Sequence, residues 1–468
     1  MGDTRRSQTI SPDNQRIAEQ TVLNCARTFI DSEGNEPPVL TGQTSLEWIK
    51  VLAQEEPEKV FTSLAHRIDL SLLKQSFRQV RRSKSCGVDG VTAREYARHL
   101  DTNLYNLSQR LRRGQYVAQP VKRIWIDKEG GKRRPIGIAA LEDKIVQKAA
   151  ATILNAVFDR KFHGFSHGFR EGHSQHKALD ELRTQCLELN INWIIDADVC
   201  GYFDNIDRKM LVAMIKQRVN DGGLLRLIGK WLNAGVDEEG ELSYPEKGTP
   251  QGAVISPLLS NIFLHYVLDD WYVKEVKPQL KGRSFLLRFA DDFVIGCEAR
   301  SDAHKVLAML GERFKRFALS LHPEKTKLVP FGKPARKVRV DHVTGTFNFL
   351  GFTFYWSKGR KGYWVIKKKT IGKRLNRFLR GLWDWCKENR HKPLKEQHAK
   401  LSAKLHGYYQ YYGVRSNFKA LEVVYEYAEK AWRFWLARRS HKGGVSWAKF
   451  EKIRAAFPFP KPRIFHNI

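Results

Sequence analysis

The stretch Leu286-Leu287-Arg288-Phe289-Ala290-Asp291-Asp292-Phe293-Val294-Ile295-Gly296 sets two adjacent carboxylates between two apolar runs. Those runs read as the strands of a β-hairpin with an acidic turn. Neighbouring side chains on a strand point to opposite faces, so a side-by-side pair is a poor core element and a good way to aim one carboxylate into a cleft. A divalent cation could be held there. On the dipeptide alone, a solvated Asp-Asp turn is an equal reading.

A second apolar run ending in carboxylates decides between them: Asn192-Trp193-Ile194-Ile195-Asp196-Ala197-Asp198-Val199-Cys200-Gly201-Tyr202-Phe203-Asp204. Asp198 falls where such a strand would leave its sheet. Oxygen-ligated Mg²⁺ is typically held by one or two protein carboxylates, which leaves positions for phosphate oxygens, and two-metal phosphoryl transfer fits that arrangement. Here the chain resembles a known family. The hairpin is similar to the Tyr-x-Asp-Asp box of reverse transcriptases, and the upstream run is similar to their first carboxylate motif. The resemblance implies catalytic Asp198, Asp291 and Asp292, with metal at Asp198, Val199, Asp291 and Asp292: two Mg²⁺ ions, or Mn²⁺ in their place.

The chain has 468 residues, 42% hydrophobic and 11% aromatic, which allows several domains with a sizeable core and excludes a disordered tail. A formal net charge of +31 calls for a polyanionic partner, nucleic acid ahead of an acidic membrane surface. The charge is uneven. Residues 1–60 carry 6 Lys+Arg against 10 Asp+Glu, whereas residues 356–468 carry 28 against 7. The six cysteines include no Cys-x-x-Cys pair, which argues against a disulfide framework and a thiolate zinc site. No apolar stretch approaches the roughly 20 residues needed to span a bilayer, and no signal-peptide core is present. The expectation is a soluble protein without membrane contact; with the resemblance, it is a bacterial cytoplasmic one.

Taken in order, residues 1–45 read as a polar leader with one helix near Ile17–Phe29. Helical spacing follows over Leu46–Leu73, with a basic helix over Ser71–Arg82 and another over Leu100–Arg113. Val121–Ile138 reads as a hairpin around Gly130-Gly131, with its cations towards the turn. By resemblance this is the fingers loop, whose Lys128 and Arg134 bind the incoming triphosphate. Leu141–Phe158 shows one apolar helical face. Phe162–Gln175 carries His163, His167 and His173, with His176 just beyond, in no acceptable zinc spacing. The family has a similar Ser-x-Gly-Phe-Arg loop, which implies that Arg170 contacts template backbone.

Phe203 stands where the family places an aromatic ring under the sugar of the nucleotide, implying selection of deoxynucleotides. Asp204 and Asp207 suit capping of a helix over Arg208–Val219. Gly248-Thr249-Pro250-Gln251-Gly252 with Ser256-Pro257-Leu258-Leu259-Ser260-Asn261 reads as a tight loop opening a helix to about Trp271, and it is the most specific string after the acidic hairpin. The resemblance sets Gln251 beside the nucleotide. Phe289 replaces the family's usual Tyr and keeps the ring. After a helix over Ala303–Leu321, Lys325 is the implied partner of the departing pyrophosphate. Phe349-Leu350-Gly351 resembles the primer-gripping turn.

From Trp356 the composition becomes basic and aromatic. Helical spacing covers Thr370–Cys386, Leu394–Tyr412 and Asn417–Arg438, and the four rings of Tyr408–Tyr412 divide between core and base stacking. This region resembles the maturase domain of bacterial group II intron proteins, and Ala437–Ile468 resembles their small DNA-binding tail; no endonuclease domain with His and Cys pairs is expected. The resulting reading is an α+β right-hand polymerase: a leader over 1–66, fingers and palm over 67–356, an α-helical thumb and maturase domain over 357–437, and a basic tail over 438–468. The implied activity is RNA-directed DNA synthesis with intron splicing and retrohoming, acting on group II intron RNA, RNA template, DNA primer or target, and deoxynucleoside triphosphates. A splicing factor with a relic polymerase site, or a reverse transcriptase recruited to a defence system, are the other classes.

Overall fold

A computed structural model describes residues 42–80, 86–127, 133–249, 252–337, 339, 345–439 and 444–468. The leader helix near Ile17–Phe29, Lys128 and Gln251 lie outside these. Alternating and apolar runs become strands β1 (Val121–Asp127), β2 (Arg133–Ile138), β3 (Trp193–Ala197), β4 (Val236–Glu238), β5 (Glu241–Ser243), β6 (Ser284–Phe289), β7 (Asp292–Cys297), β8 (Lys327–Pro330), β9 (Thr346–Phe349), β10 (Phe352–Lys358) and β11 (Trp364–Thr370). The chain divides into two units, one holding residues up to 162 with 212–256, the other 163–211 with 257–468.

In the first unit the helix Leu141–Phe158 is buried nearly all round, because Ile145, Ala149, Ile153 and Val157 sit on one face and Val146, Ala150 and Leu154 on another. A helix apolar on two faces must be surrounded. Leu70–Gln79 and Leu100–Arg112 pack their apolar faces nearby, and a capping box between Thr92 and Glu95 starts the short helix Ala93–Tyr96. The two expected strands pair antiparallel, with Trp125 opposite Pro135 and Ile126 opposite Arg134, and the Gly130-Gly131 turn expected between them lies outside the described residues. Its sheet runs β2-β1-β4-β5.

The second unit is built on the sheet β6-β7-β3-β8. Ile194, Leu287 and Val294 bury one face against Leu179 and Leu182 of the helix Gln175–Glu188. Val306, Leu310 and Phe314 of the helix Arg300–Arg316 are buried too, and Phe314 meets Phe293 edge-on. The second sheet, β11-β10-β9, stacks Phe347 on Phe354 and joins the same core through Phe352, Trp356 and Trp364. The compositional change at Trp356 therefore falls inside β10 rather than at a change of architecture: helices begin only at Gly372, since Trp364, Ile366, Lys368 and Thr370 share the buried face of β11 while Val365, Lys367 and Lys369 lie on the other.

Helices Gly372–Asn389, Leu394–Tyr412 and Phe418–Leu436 enclose Leu382, Leu401, Leu405, Leu421, Val424 and Trp432. The helix Trp447–Ala456 adds Phe450, and Phe459 of the tail packs on Trp432. Tyr408 and Tyr409 are buried, Tyr411 donates its hydroxyl to Leu350 O at 2.8 Å, and Tyr412 lies against Phe352, so the whole ring cluster packs on protein. Among the described residues no helix is long and apolar enough to cross a membrane.

Candidate active site

The acidic hairpin forms, with a finer division than its sequence indicates. Phe289 pairs with Asp292, so the turn proper is Ala290-Asp291 and Asp292 opens β7. Ala290 holds a φ of 58°, the left-handed region that a two-residue hairpin of this twist requires. Its strain is braced by a close neighbour: a Cβ at Gly168 would lie 2.2 Å from Ala290 N. Only glycine lets the 163–170 loop seat against the turn.

Arg288 braces it from below. It is fully buried, and its Nε and Nη2 donate to Asp269 Oδ1 and Oδ2 at 2.8 and 2.5 Å. Nη1 donates to Asn261 Oδ1 and to Ala290 O, both at 3.0 Å. Asn261 in turn donates to Gly168 O at 2.6 Å. Buried charge is tolerated only when paired and fully hydrogen-bonded, and this guanidinium is both. Asn261 closes the Ser-Pro-x-Leu-x-Asn string, so that string supplies the brace of the acidic turn as well as a helix start.

Strand register delivers the other carboxylates. Ala197 pairs with Phe293, so Asp198, one step on, reaches the same strand end as Asp292. Its backbone is fixed by His322 N–H donating to Asp198 O at 2.7 Å and by Cys200 N–H donating to Ser320 O at 2.9 Å. The side chain of Lys325 is hydrogen-bonded to the Asp198 carboxylate. Although Asp292 reaches solvent at the start of β7, desolvation by the surrounding protein, then the charges of Asp291 and Asp198, push its carboxyl up to about 6, with Arg374 acting against them. Asp196 is pushed up to about 6 as well, by burial first, while the Asn348 N–H and Lys327 oppose and Asp198 adds to the shift.

Phe349, Leu350 and Gly351 form the β9–β10 turn, with φ of 46° at Leu350 and 85° at Gly351. The space a Gly351 side chain would take is filled by Arg374 Nη1. Phe203 is half-exposed and edge-on to Tyr202 at 5.2 Å; it is Tyr202 that enters the core, donating to Ser260 O at 2.9 Å. Val199 is buried, bridged to Leu321. Asp207 caps as expected, accepting from Met210 N at 2.8 Å. Arg170 spends Nη1 on its own loop, donating to His163 O and Ser166 O at 2.8 Å each. Arg134 stands on β2 in the first unit.

The site thus gathers Asp196, Asp198, Asp291 and Asp292 on adjoining strand ends, with Lys325 and Arg374 beside them. Clustered carboxylates that raise one another's pKa are a donor set suited to a hard divalent cation. Sequence reasoning missed Asp196, Asp269, Arg288 and Arg374. Two of these had a signal: Asp196 lies two residues before Asp198, hence on the same strand face, and Arg288 is a lone charge in an apolar run, which demands a buried partner.

Residues 126–354 match the reverse transcriptase (RNA-dependent DNA polymerase) family. The chain is 32% identical to the protein YkfC of Escherichia coli over 310 residues, spanning 59% of this chain and 77% of that protein. It is 30% identical to the group II intron-encoded protein LtrA of Lactococcus lactis over 287 residues, covering 61% of this chain and 47% of LtrA. The chain belongs to the group II intron reverse transcriptase and maturase family. A putative COX1/OXI3 intron 1 protein of Saccharomyces cerevisiae is 32% identical over 227 residues, 25% of its length. The chain spans about half the length of LtrA. In this reverse transcriptase the family match ends within β10, and it encloses Asp198, Asp291, Asp292 and the brace around them. Reverse transcriptases use divalent metal ions, and the carboxylate cluster fits that requirement.

Proposed function

We propose that this chain copies RNA into DNA from a primer and that the same protein assists the splicing and retrohoming of a group II intron RNA. The observation that carries the polymerase reading is the delivery of Asp198, Asp291 and Asp292 to one strand end, braced by Arg288. The splicing reading rests on the likeness to LtrA and on the basic helical region after β11.

In this reading Asp198, Asp291 and Asp292 hold two Mg²⁺ ions, with the Val199 backbone adjoining. Such ions, when bound, activate the attacking 3′-oxygen and offset charge on the triphosphate. The chain's own groups do the rest. Lys325, already beside Asp198, is placed to neutralise or protonate the departing pyrophosphate. Phe203 presents its half-exposed ring to the nucleotide sugar and excludes a 2′-hydroxyl. The Phe349-Leu350-Gly351 turn, rigid through its two left-handed residues, supports the primer end. Lys128, Arg134 and Gln251 are assigned to the incoming nucleotide by resemblance.

Primer extension on an RNA template, with deoxynucleotides and Mg²⁺, tests the proposal. Asp291→Ala should abolish extension and leave RNA binding in place. A wild-type protein that binds intron RNA tightly and extends no primer would leave a splicing factor instead.

A further inference from the structure

His163, His265 and Asp270 form a second group of ligands, apart from the acidic hairpin, and their donor atoms all lie within 4.8 Å of one another. Their convergence depends on an unusual backbone. The helix that starts at Ser256 is α-helical to Leu264 and then becomes a π-helix over His265–Asp269, so that Asp270 N–H bonds back to His265 O. Residues five apart diverge by more than a third of a turn on an α-helix. The π-register instead places His265 and Asp270 one above the other on a single face. Such π-turns occur mostly as short insertions, often at functional sites.

His163 completes the group from the loop after Phe162. Its Nε2 lies 2.8 Å from Asp270 Oδ1, and His265 Nε2 lies 3.6 Å from the same oxygen. The His163 ring is fixed by stacking on Phe165 at 5.1 Å. Lys274 Nζ holds the other carboxylate oxygen, Oδ2, at 2.6 Å. One carboxylate oxygen thus faces two imidazole nitrogens while the second is occupied. Tetrahedral zinc with bonds of ~2.0–2.1 Å needs donor-to-donor edges of roughly 3.3 Å. The two observed separations bracket that value.

We infer that His163, His265 and Asp270 bind a zinc ion, with a fourth position open to water. Two imidazoles and one carboxylate are a known zinc donor class, and His163 is about one-quarter exposed, which gives the ion a way in. The role is structural. Asp269, adjacent to Asp270, pairs with Arg288, and Phe165 O and His167 N, just after His163, bond the Arg288 backbone at 3.0 and 2.8 Å. The ion joins the two segments that flank Arg288, and so stiffens the seat of the acidic turn. The histidine-rich stretch 162–176 contains no zinc spacing of its own because the other two ligands lie about a hundred residues downstream.

The test uses full-length protein made without a histidine tag, stripped with a chelator and dialysed against excess Mg²⁺ to occupy the carboxylate cluster. Zinc is then added and removed on a desalting column, and the retained metal and the melting temperature are measured for wild type, His163→Ala, Asp270→Asn and Asp291→Asn. The wild type and Asp291→Asn should each retain one equivalent of zinc and melt at a higher temperature with it. His163→Ala and Asp270→Asn should lose both. Cobalt in place of zinc should give the wild type the visible absorption of a four-coordinate site, which decides the matter even if both ligand variants fail to fold. No retained metal and no such spectrum in the wild type would overturn the inference. So would retention by both folded ligand variants, or loss in Asp291→Asn.

Discussion

Arg288 carries more of the site's geometry than any residue that would touch substrate. Removing it strands Asp269, which is fully buried, and breaking one side of a buried pair costs about 3–5 kcal/mol. Arg288→Ala should lower stability by that amount in urea unfolding. The double variant Arg288→Met/Asp269→Leu removes both charges and should recover most of it, since apolar residues of similar volume replace buried pairs well. Primer extension should not recover, because Ala290 O has lost its donor and the turn its aim; a misplacement of about 1 Å is worth roughly a hundredfold in rate. Full recovery of extension would show the guanidinium to be structural alone. Gly168→Ala tests the same turn from its other side: the new methyl would meet the Ala290 backbone, so extension should fall steeply and the melting temperature should fall with it, and an unchanged rate would show that the turn can shift without losing its aim. At this scale the sequence was legible where chemistry is exposed. Asp198 and Asp291 announce themselves as carboxylates ending apolar runs. Asp269 did not, because a buried carboxylate on an apolar helix is explained only by the arginine it meets in space.

At the scale of elements, periodicity located most of the architecture. Leu141–Phe158 and Leu394–Tyr412 have the bounds their apolar spacing indicates, and the β9–β10 turn falls at Leu350-Gly351. The π-turns at His265–Asp269 and Tyr272–Val276 were not legible, since no side-chain spacing separates i→i+5 from i→i+4 bonding in a helix this apolar. Nor was the strand character of Trp364–Thr370, where three lysines in succession read as surface. One of them, Lys368, is in fact buried, its Nζ 5.9 Å from the Phe354 ring and without a hydrogen-bond partner among the described residues. Burial, opposed by Asp180 and reinforced by Arg183, pulls its pKa down to about 8. Below pH 8 the amine is charged in both folded and unfolded chains, and the full penalty of about 3 kcal/mol applies. As the pH rises through 8 the folded amine loses its proton first, and the penalty vanishes near the ordinary lysine range. Lys368→Met should therefore stabilise the second unit at pH 7, with a gain that shrinks towards pH 10. Urea unfolding of both proteins at several pH values measures it, and a gain independent of pH would assign the effect to packing.

At the scale of the molecule, the charge of +31 is the property that composition alone revealed, and its distribution is now attached to a surface. Lys373, Arg374, Arg377 and Arg380 lie exposed along the helix Gly372–Asn389. Arg380 borders a groove of about 450 Å³ with Asn376, Leu379, Trp383 and Tyr427, where one cation and two flat rings stand together. Backbone neutralisation releases counterions, so affinity for a primer–template should fall steeply with salt; six to ten phosphate contacts correspond to a loss of roughly 10³–10⁵ between 50 and 200 mM. Replacing Lys373, Arg377 and Arg380 together with Gln should reduce the slope of log affinity against log salt by about 2–3, equally for unrelated sequences. The rate of extension at saturating primer–template should hold, because none of the three belongs to the carboxylate cluster. A slope unchanged by the triple replacement would move the electrostatic grip elsewhere on this surface, and a change confined to one RNA sequence would make the helix a reader of bases rather than of phosphates.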